Sequence, residues 1–282
     1  KQGYWSLVRR QFKKNRPAIF GTWIIGFIAF VAIFAPFLAN DKPILCSYEG
    51  SFYVPVVQEW FTTLNLAENQ GWKDIEYDWA LWPPVPYAPS NSDLDHSFAA
   101  PFSGGDHSHY LGTDQLGRDL FSGLIHGARI SLFIGLLAMG IATIIGVLLG
   151  ALAGYFGGWV DILVSRLIEL FLNFPVFFLI ITIVAMLQET YPDDMIYMLM
   201  VVIGMTGWMG IARLTRGEVL RVRNQEYVTA AGALGFLPSR VILRHVLPNS
   251  LAPVLVAIAF GIASAILVEA ALSFLGFGVA IT

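Results

Sequence analysis

The chain has 282 residues, of which 56% are hydrophobic and only 13% charged, and its net charge is −3. Soluble domains carry about 25% charged residues, so a water-soluble globule is excluded, and so much apolar surface excludes disorder as well. The small net charge offers no electrostatic basis for nucleic-acid binding, and the single Cys cannot form an intramolecular disulfide.

In chain order, residues 1–17 form a basic leader with Lys1, Arg9, Arg10, Lys13, Lys14 and Arg16 and no acid. A charge-free apolar run over 18–39 follows. It meets the roughly 20 apolar residues that a membrane-crossing helix needs and exceeds the about 7–15 of a signal-peptide core, so it reads as a retained first span. Residues 40–110 form an insertion too long for an ordinary connector. Pro83, Pro84, Pro86 and Pro89 cluster there, with Trp60, Trp72, Trp79 and Trp82. Proline disfavours helix, and the aromatics read either as a packed cap over the helices or as a docking surface for a soluble partner. His107 and His109 form an H-x-H beside Asp106, and His96 follows Asp95. A metal site needs a second spaced ligand pair, so this reads as a solvated loop and no metal is assigned.

Leu116, Leu120 and Leu124, with Phe121 and Ile125, share one helical face, and Arg118, Ser122, His126 and Arg129 share the other. That pattern predicts an amphipathic helix at the interface, capped by Thr113 or Asp114. A second span runs from Ile130 to near Gly154 and carries Gly146, Gly150 and Gly154, a spacing that lets helix backbones approach closely. A third covers about 167–187, interrupted by Asn173 and Pro175. Arg166 and Glu169 stand three apart near its start and can pair. With Asn173 they are the candidate pathway residues, because polar groups inside a membrane are functional candidates. A fourth span covers about 195–212 and a fifth about 246–268, with Glu269 expected exposed just beyond it.

Carboxylates are absent from the middle of the first, second, fourth and fifth spans, which disfavours proton or ion coupling. The sequence has no G-x-x-x-x-G-K-[ST] phosphate loop, and its histidines assemble no Ser/His/Asp triad. Uphill transport therefore needs energy from another protein.

The loop 213–247 holds Arg213, Arg216, Arg221, Arg223, Arg240 and Arg244 against Glu218 and Glu226. With the basic leader, it is expected on the cytoplasmic side, and residues 40–128 on the outside. Asn224 is expected to cap a helix beginning near Gln225, with Tyr227, Ala230, Ala231 and Leu234 along one face. Gly235 ends it, and Pro238 opens a second helix carrying Val241, Leu243 and Val246 toward Pro248.

Ala230-Ala231, then Gly235, then Leu247-Pro248 match the spacing of the "EAA" loop in permease subunits of ABC importers. Thr229 stands where that family has Glu, and His245 where it has Ile. The segments LGTDQLGRDLFSGLIHGARISL (111–132), LSFLGFG (272–278) and KNRPAIFGTWII (14–25) resemble the C-type permease of peptide/nickel-type importers. The insertion starting ANDKPILCSYEGSFYVP (39–55) resembles the microcin/oligopeptide branch. The resemblance implies an all-α polytopic protein, the transmembrane domain of a type I ABC importer with a periplasmic insertion, in the bacterial inner membrane. It implies a sixth span beyond the five visible. It also implies a second permease subunit, two ATPase domains using ATP and Mg, and a periplasmic solute-binding protein. The chain itself would be non-catalytic. Glu226, Tyr227, Ala230, Ala231, Gly235, Arg240, Leu247 and Pro248 would couple it to an ATPase. Peptides are the expected cargo. Nickel or another small solute, and a membrane enzyme with a metal site in the outer loop, are the alternatives.

Overall fold

A computed structural model describes residues 10–48, 50–57, 75–103, 109–191 and 194–277. Trp60, Trp72, Asp106, His107, Asp193 and Gly278 lie outside the described residues. The described residues fall into two compact units, one up to Leu132 and one from Phe133. The division falls inside a helix.

The first unit begins with α1, Arg16–Ile33, whose start is capped by the Asn15 side chain accepting from the Ala18 amide at 3.3 Å. Pro17 sits in its first turn, where the missing N–H costs nothing. Of α1, only Ala32 is buried, as befits a helix whose solvent is lipid. A short helix α2, Ala35–Leu38, follows a break at Phe34. Three strands then form an antiparallel sheet in the order β2-β1-β3: β1 Leu45–Tyr48, β2 Ser51–Tyr53 and β3 Trp79–Leu81. Cys46 pairs with Tyr53 on one side and Ala80 on the other. Its thiol is buried and its pKa pushed up by that burial. The same surroundings push Tyr77 up to about 12, through burial first and then the Cys46 charge. The all-α character therefore belongs to the spans, and the insertion adds a small sheet.

The long helix α3, Leu120–Phe156, corrects the expected interfacial helix. Residues 111–119 are not helical, and the amphipathic stretch from Leu120 on is the first part of the second span. Its polar side faces protein: Ser122 is fully buried, while Leu120 and Leu124 are exposed. The cap is also not Thr113 or Asp114 but Asp119, whose Oδ1 accepts the Ser122 amide at 2.6 Å. Its Oδ2 lies 2.8 Å from His109 Nδ1, and both side chains are 1% exposed. Tyr87 stacks on His109 at 4.2 Å, and Ser122 donates its hydroxyl to the Tyr87 carbonyl at 2.7 Å. Thr113 instead accepts from the Ala99 amide and donates to the His96 carbonyl. Asp114 closes its own turn by accepting from the Leu116 and Arg118 amides. His96 is held by Asp93 at 3.0 Å. Burial pushes the Asp93 carboxyl up, but the His96 hydrogen bond and the neighbouring imidazole charges outweigh it and hold its pKa low. No cluster of three or more metal-ligating side chains occurs among the described residues.

The second unit contains α4 Gly158–Leu172, α5 Val176–Thr190, α6 Met195–Arg223, the short α7 Glu226–Ala233 and α8 Pro238–Val241, and α9 Leu247–Leu272. The expected third span is broken: α4 and α5 meet at 77°. Pro175 explains the break, because it has no N–H to donate and its ring excludes the preceding turn. Among the described residues, four helical segments are long and apolar enough to cross a membrane, or five if the bent pair is one span. Glu269 lies inside α9, not beyond the span, and is buried, accepting the Ser273 hydroxyl at 2.8 Å.

The glycine stripe of α3 lies directly on α6. A β-carbon on Gly146 would stand 2.8 Å from the Trp208 carbonyl oxygen, and one on Gly154 2.8 Å from that of Arg216. At Gly150 it would meet Thr215 Cβ at 2.8 Å and the Arg216 amide at 3.0 Å. Around this contact Ala142, Ala153, Val164, Ile168, Trp208, Met209 and Ala212 form the main core. Gly150→Ala is expected to destabilise the chain by about 1–3 kcal/mol through overpacking. Gly140→Ala, where a β-carbon meets nothing within 4 Å, serves as the neutral control. Denaturation midpoints of the purified protein in detergent check both.

Candidate functional site

The arginine-rich loop starts where α6 ends. Arg221 and Arg223 occupy its last turn, where cations complement the helix dipole. Asn224 is the C-terminal cap of α6 and does not cap the next helix; its amide reaches back to the Leu220 carbonyl at 3.5 Å. Gln225 turns extended and opens α7, Glu226–Ala233, with Glu226 in the favourable first turn. Gly235 ends this helix in the left-handed region, φ +79°. The Phe236 amide then folds back on the Ala231 carbonyl at 3.3 Å, so orphaned carbonyls at the helix end are satisfied.

Leu237 is extended, and Pro238 starts the single turn α8, Pro238–Val241. A π-helical turn, Ile242–Val246, joins α8 to α9. Pro248 in the first turn of α9 cannot donate to the preceding turn, and the widened turn absorbs it. Side chains serve the carbonyls there: Asn249 donates to His245 at 2.7 Å and Ser250 to Val246 at 2.9 Å.

The loop has two faces. Val228 and Ala231 of α7, with Val241, Ile242 and Val246, are buried against Ala151 of α3 and Val219 and Val222 of α6. Ala231 therefore packs inside the chain and does not share an exposed face with Ala230. Tyr227, Leu234, Leu237 and Leu243 point away, Leu234 being 76% and Leu237 71% exposed. Glu226, Ala230, Arg240 and Pro248 are exposed too, and Leu247 is half-buried. The Arg240 guanidinium lies 4.9 Å over the Phe236 ring, and His245 stacks on the same ring at 6.3 Å. The loop thus leaves an apolar patch exposed beside Arg240.

Sequence reasoning missed the contacts beneath this patch. Asp161, in the first turn of α4, forms a two-pronged ion pair with Arg216 of α6, through Arg216 Nε to Oδ1 and through Nη2 to Oδ2 at 2.7 Å. Arg223 donates to the Gly154 and Tyr155 carbonyls at the end of α3, at 3.0 and 3.1 Å. A lone acid three residues after Gly157-Gly158, in an apolar stretch, was the available signal.

Comparison with known proteins places this arrangement. Residues 146–282 match the family model described as binding-protein-dependent transport system inner membrane component, and residues 3–49 that of the N-terminal TM domain of oligopeptide transport permease C. The chain is 34% identical over 302 residues to the peptidoglycan transport system permease protein YejE of Agrobacterium fabrum, covering 95% of this chain and 78% of the relative. The chain belongs to the family of binding-protein-dependent inner-membrane transport components. It is also 33% identical to the inner membrane ABC transporter permease protein YejE of Escherichia coli, with 95% and 80% covered. Identity to the dipeptide transport system permease protein DppC of Alkalihalophilus pseudofirmus is 35%, with 97% and 72% covered. It is a multi-pass protein of the inner membrane.

Arg166 and Glu169 pair at 2.5 Å, with side chains 75% and 58% exposed. Asn173 donates to the Glu169 carbonyl at 2.9 Å. An ion pair on a spanning helix is costly against lipid. A separate cavity of about 380 Å³ among α3, α5, α6 and α9 is lined mostly by apolar residues, Met139, Ile180 and Ile203 among them, with the hydroxyls of Thr206 and Ser264. Arg166, Glu169 and Asn173 do not line it.

Gly235 isolates the conformational requirement of the loop, because a β-carbon there meets nothing within 4 Å. Gly235→Asn, which tolerates left-handed backbone, is expected to keep α7 intact, and Gly235→Val to fray it at a cost of about 1–2 kcal/mol. Amide hydrogen exchange over residues 226–236 distinguishes the two.

Proposed function

We propose that the chain is the C-type permease subunit of an ATP-driven peptide importer. It forms half of the translocation path with a second permease subunit and is driven by two ATPase domains that consume ATP and Mg. A periplasmic solute-binding protein delivers cargo to the outer face, and the basic leader and the arginine-rich loop lie in the cytoplasm. Relatives are named for peptidoglycan, dipeptide and oligopeptide transport, which supports peptides as the cargo class.

The observation that carries the proposal is the two-faced loop. Its inner face is locked into α3 and α6, and its outer face offers Tyr227, Leu234 and Leu237 to a groove on an ATPase. A helix that is firmly seated on one side and apolar on the other transmits a push. ATP binding draws the ATPases together and moves the helix. Hydrolysis releases it. Such coupling requires the nucleotide state to bias two arrangements of the spans differently. On this reading, Glu226, Tyr227, Ala230 and Arg240 touch the ATPase. Ala231, Gly235, Leu247 and Pro248 shape and seat the element that does.

Leu234→Asp and Leu237→Asp place charge on the exposed face without entering the core. Each is expected to cost the ATPase interface about 2 kcal/mol or more, the scale of a hot-spot contact. Co-purification of the ATPase subunits from membranes is the measurement. Undiminished recovery of the ATPases with both variants sinks the docking role.

A further inference from the structure

Two arginines of α6, seven residues apart and therefore on one helical face, hold both sides of the α3–α4 corner. Arg223 binds the last carbonyls of α3, and Arg216 grips Asp161 in the first turn of α4 with both prongs of its guanidinium. Arg216 and Asp161 are half-buried, with side chains 32% and 21% exposed. Ser165 donates to Asp161 Oδ1 at 3.5 Å, one turn further along α4. The corner itself turns at Gly157.

The loop helix α7 rests on this assembly. Its buried residues Val228 and Ala231 lie against Val219 and Val222 of α6 and Ala151 of α3, and Val219 and Val222 lie between the two arginines in the sequence. The end of α3, the end of α6 and α7 therefore form one packed body. Beyond its first turn, α4 touches α6 through apolar side chains, Val164, Ile168 and Phe171. Such contacts can slide, because dispersion has no direction. A bidentate Arg–carboxylate pair cannot slide without breaking, because its geometry is specific.

We propose that Asp161 and Arg216 are positioning residues that carry the displacement of α7 into α4 and hence into the bent pair α4–α5. The pair fixes the register of α4 on the body that moves with the loop, and Arg223 keeps the α3 end of the corner in that body. This rests on the reading of α7 as the element driven by an ATPase.

The test uses the intact complex with its ATPase subunits. Spin labels are attached at exposed Thr229 on α7 and exposed Leu170 on α4, and their separation is measured without nucleotide and with ATP plus vanadate. In the wild-type sequence, the separation is expected to hold constant. In Asp161→Asn, it is expected to change with nucleotide by at least about 2 Å, the scale of helix shifts in switching proteins. The reversed pair Asp161→Arg with Arg216→Asp is expected to restore constancy, which a merely stabilising contact would not require. Arg216→Lys keeps the charge and loses the fork, and serves if Asp161→Asn does not assemble; it is expected to widen the distance distribution. A wild-type separation that changes with nucleotide overturns the proposal, and so does an Asp161→Asn or Arg216→Lys complex as rigid as wild type. A wild-type complex that retains no ATPase subunits fails the docking reading instead.

Discussion

The contact on which the rest of the second unit depends is the close approach of α3 and α6 along Gly146, Gly150 and Gly154. Between helices in lipid there is no hydrophobic drive to associate, so contact distance sets the strength of the packing. Removing three β-carbons brings the α3 backbone against the Trp208 and Arg216 carbonyls. Every side chain on that side of α6 then takes its position from α3. Thr215 and Val219 fall beside the stripe, and Arg216 and Arg223 reach the α3–α4 corner.

That framework explains why the loop after α6 is ordered although its exposed face is apolar. Its order comes from below, from Val228, Ala231, Val241, Ile242 and Val246 packed on the ends of α3 and α6. It is sharpened by Gly235, by the Arg240–Phe236–His245 stack and by the π-helical turn that accommodates Pro248. The free face is then a shaped patch, fixed by the packing beneath it.

The other end of α3 is secured by different chemistry. There the helix start is pinned by a buried carboxylate, Asp119, shared between the Ser122 amide and His109. The Ala39 carbonyl is met by His126 at 2.8 Å, and Val85 exchanges backbone hydrogen bonds with Leu38 and Asn40. Polar groups are costly to bury unless they are paired. Their pairing ties the insertion to the first turns of the span and specifies one arrangement.

Much was legible in residues read one after another. The apolar runs at 18–39, 130–154 and 246–268 announce spans because lipid imposes a minimum length, and Gly235 and Pro238 announce the turn in the loop because backbone geometry is local. The break at Pro175, the EAA-like spacing and the Arg166–Glu169 pair belong to the same class. What stayed hidden was rotation. The face of α3 that carries Ser122 turns inward although its leucines are the more apolar, and Ala231 turns away from Ala230. Asp161 meets Arg216 across 55 positions of sequence. A helix that is apolar nearly all round has no periodic signal to say which side faces its neighbours. Composition and spacing therefore determined the class of protein and its elements, and only the packing of the helices decided which polar groups meet and which face of the loop is left open.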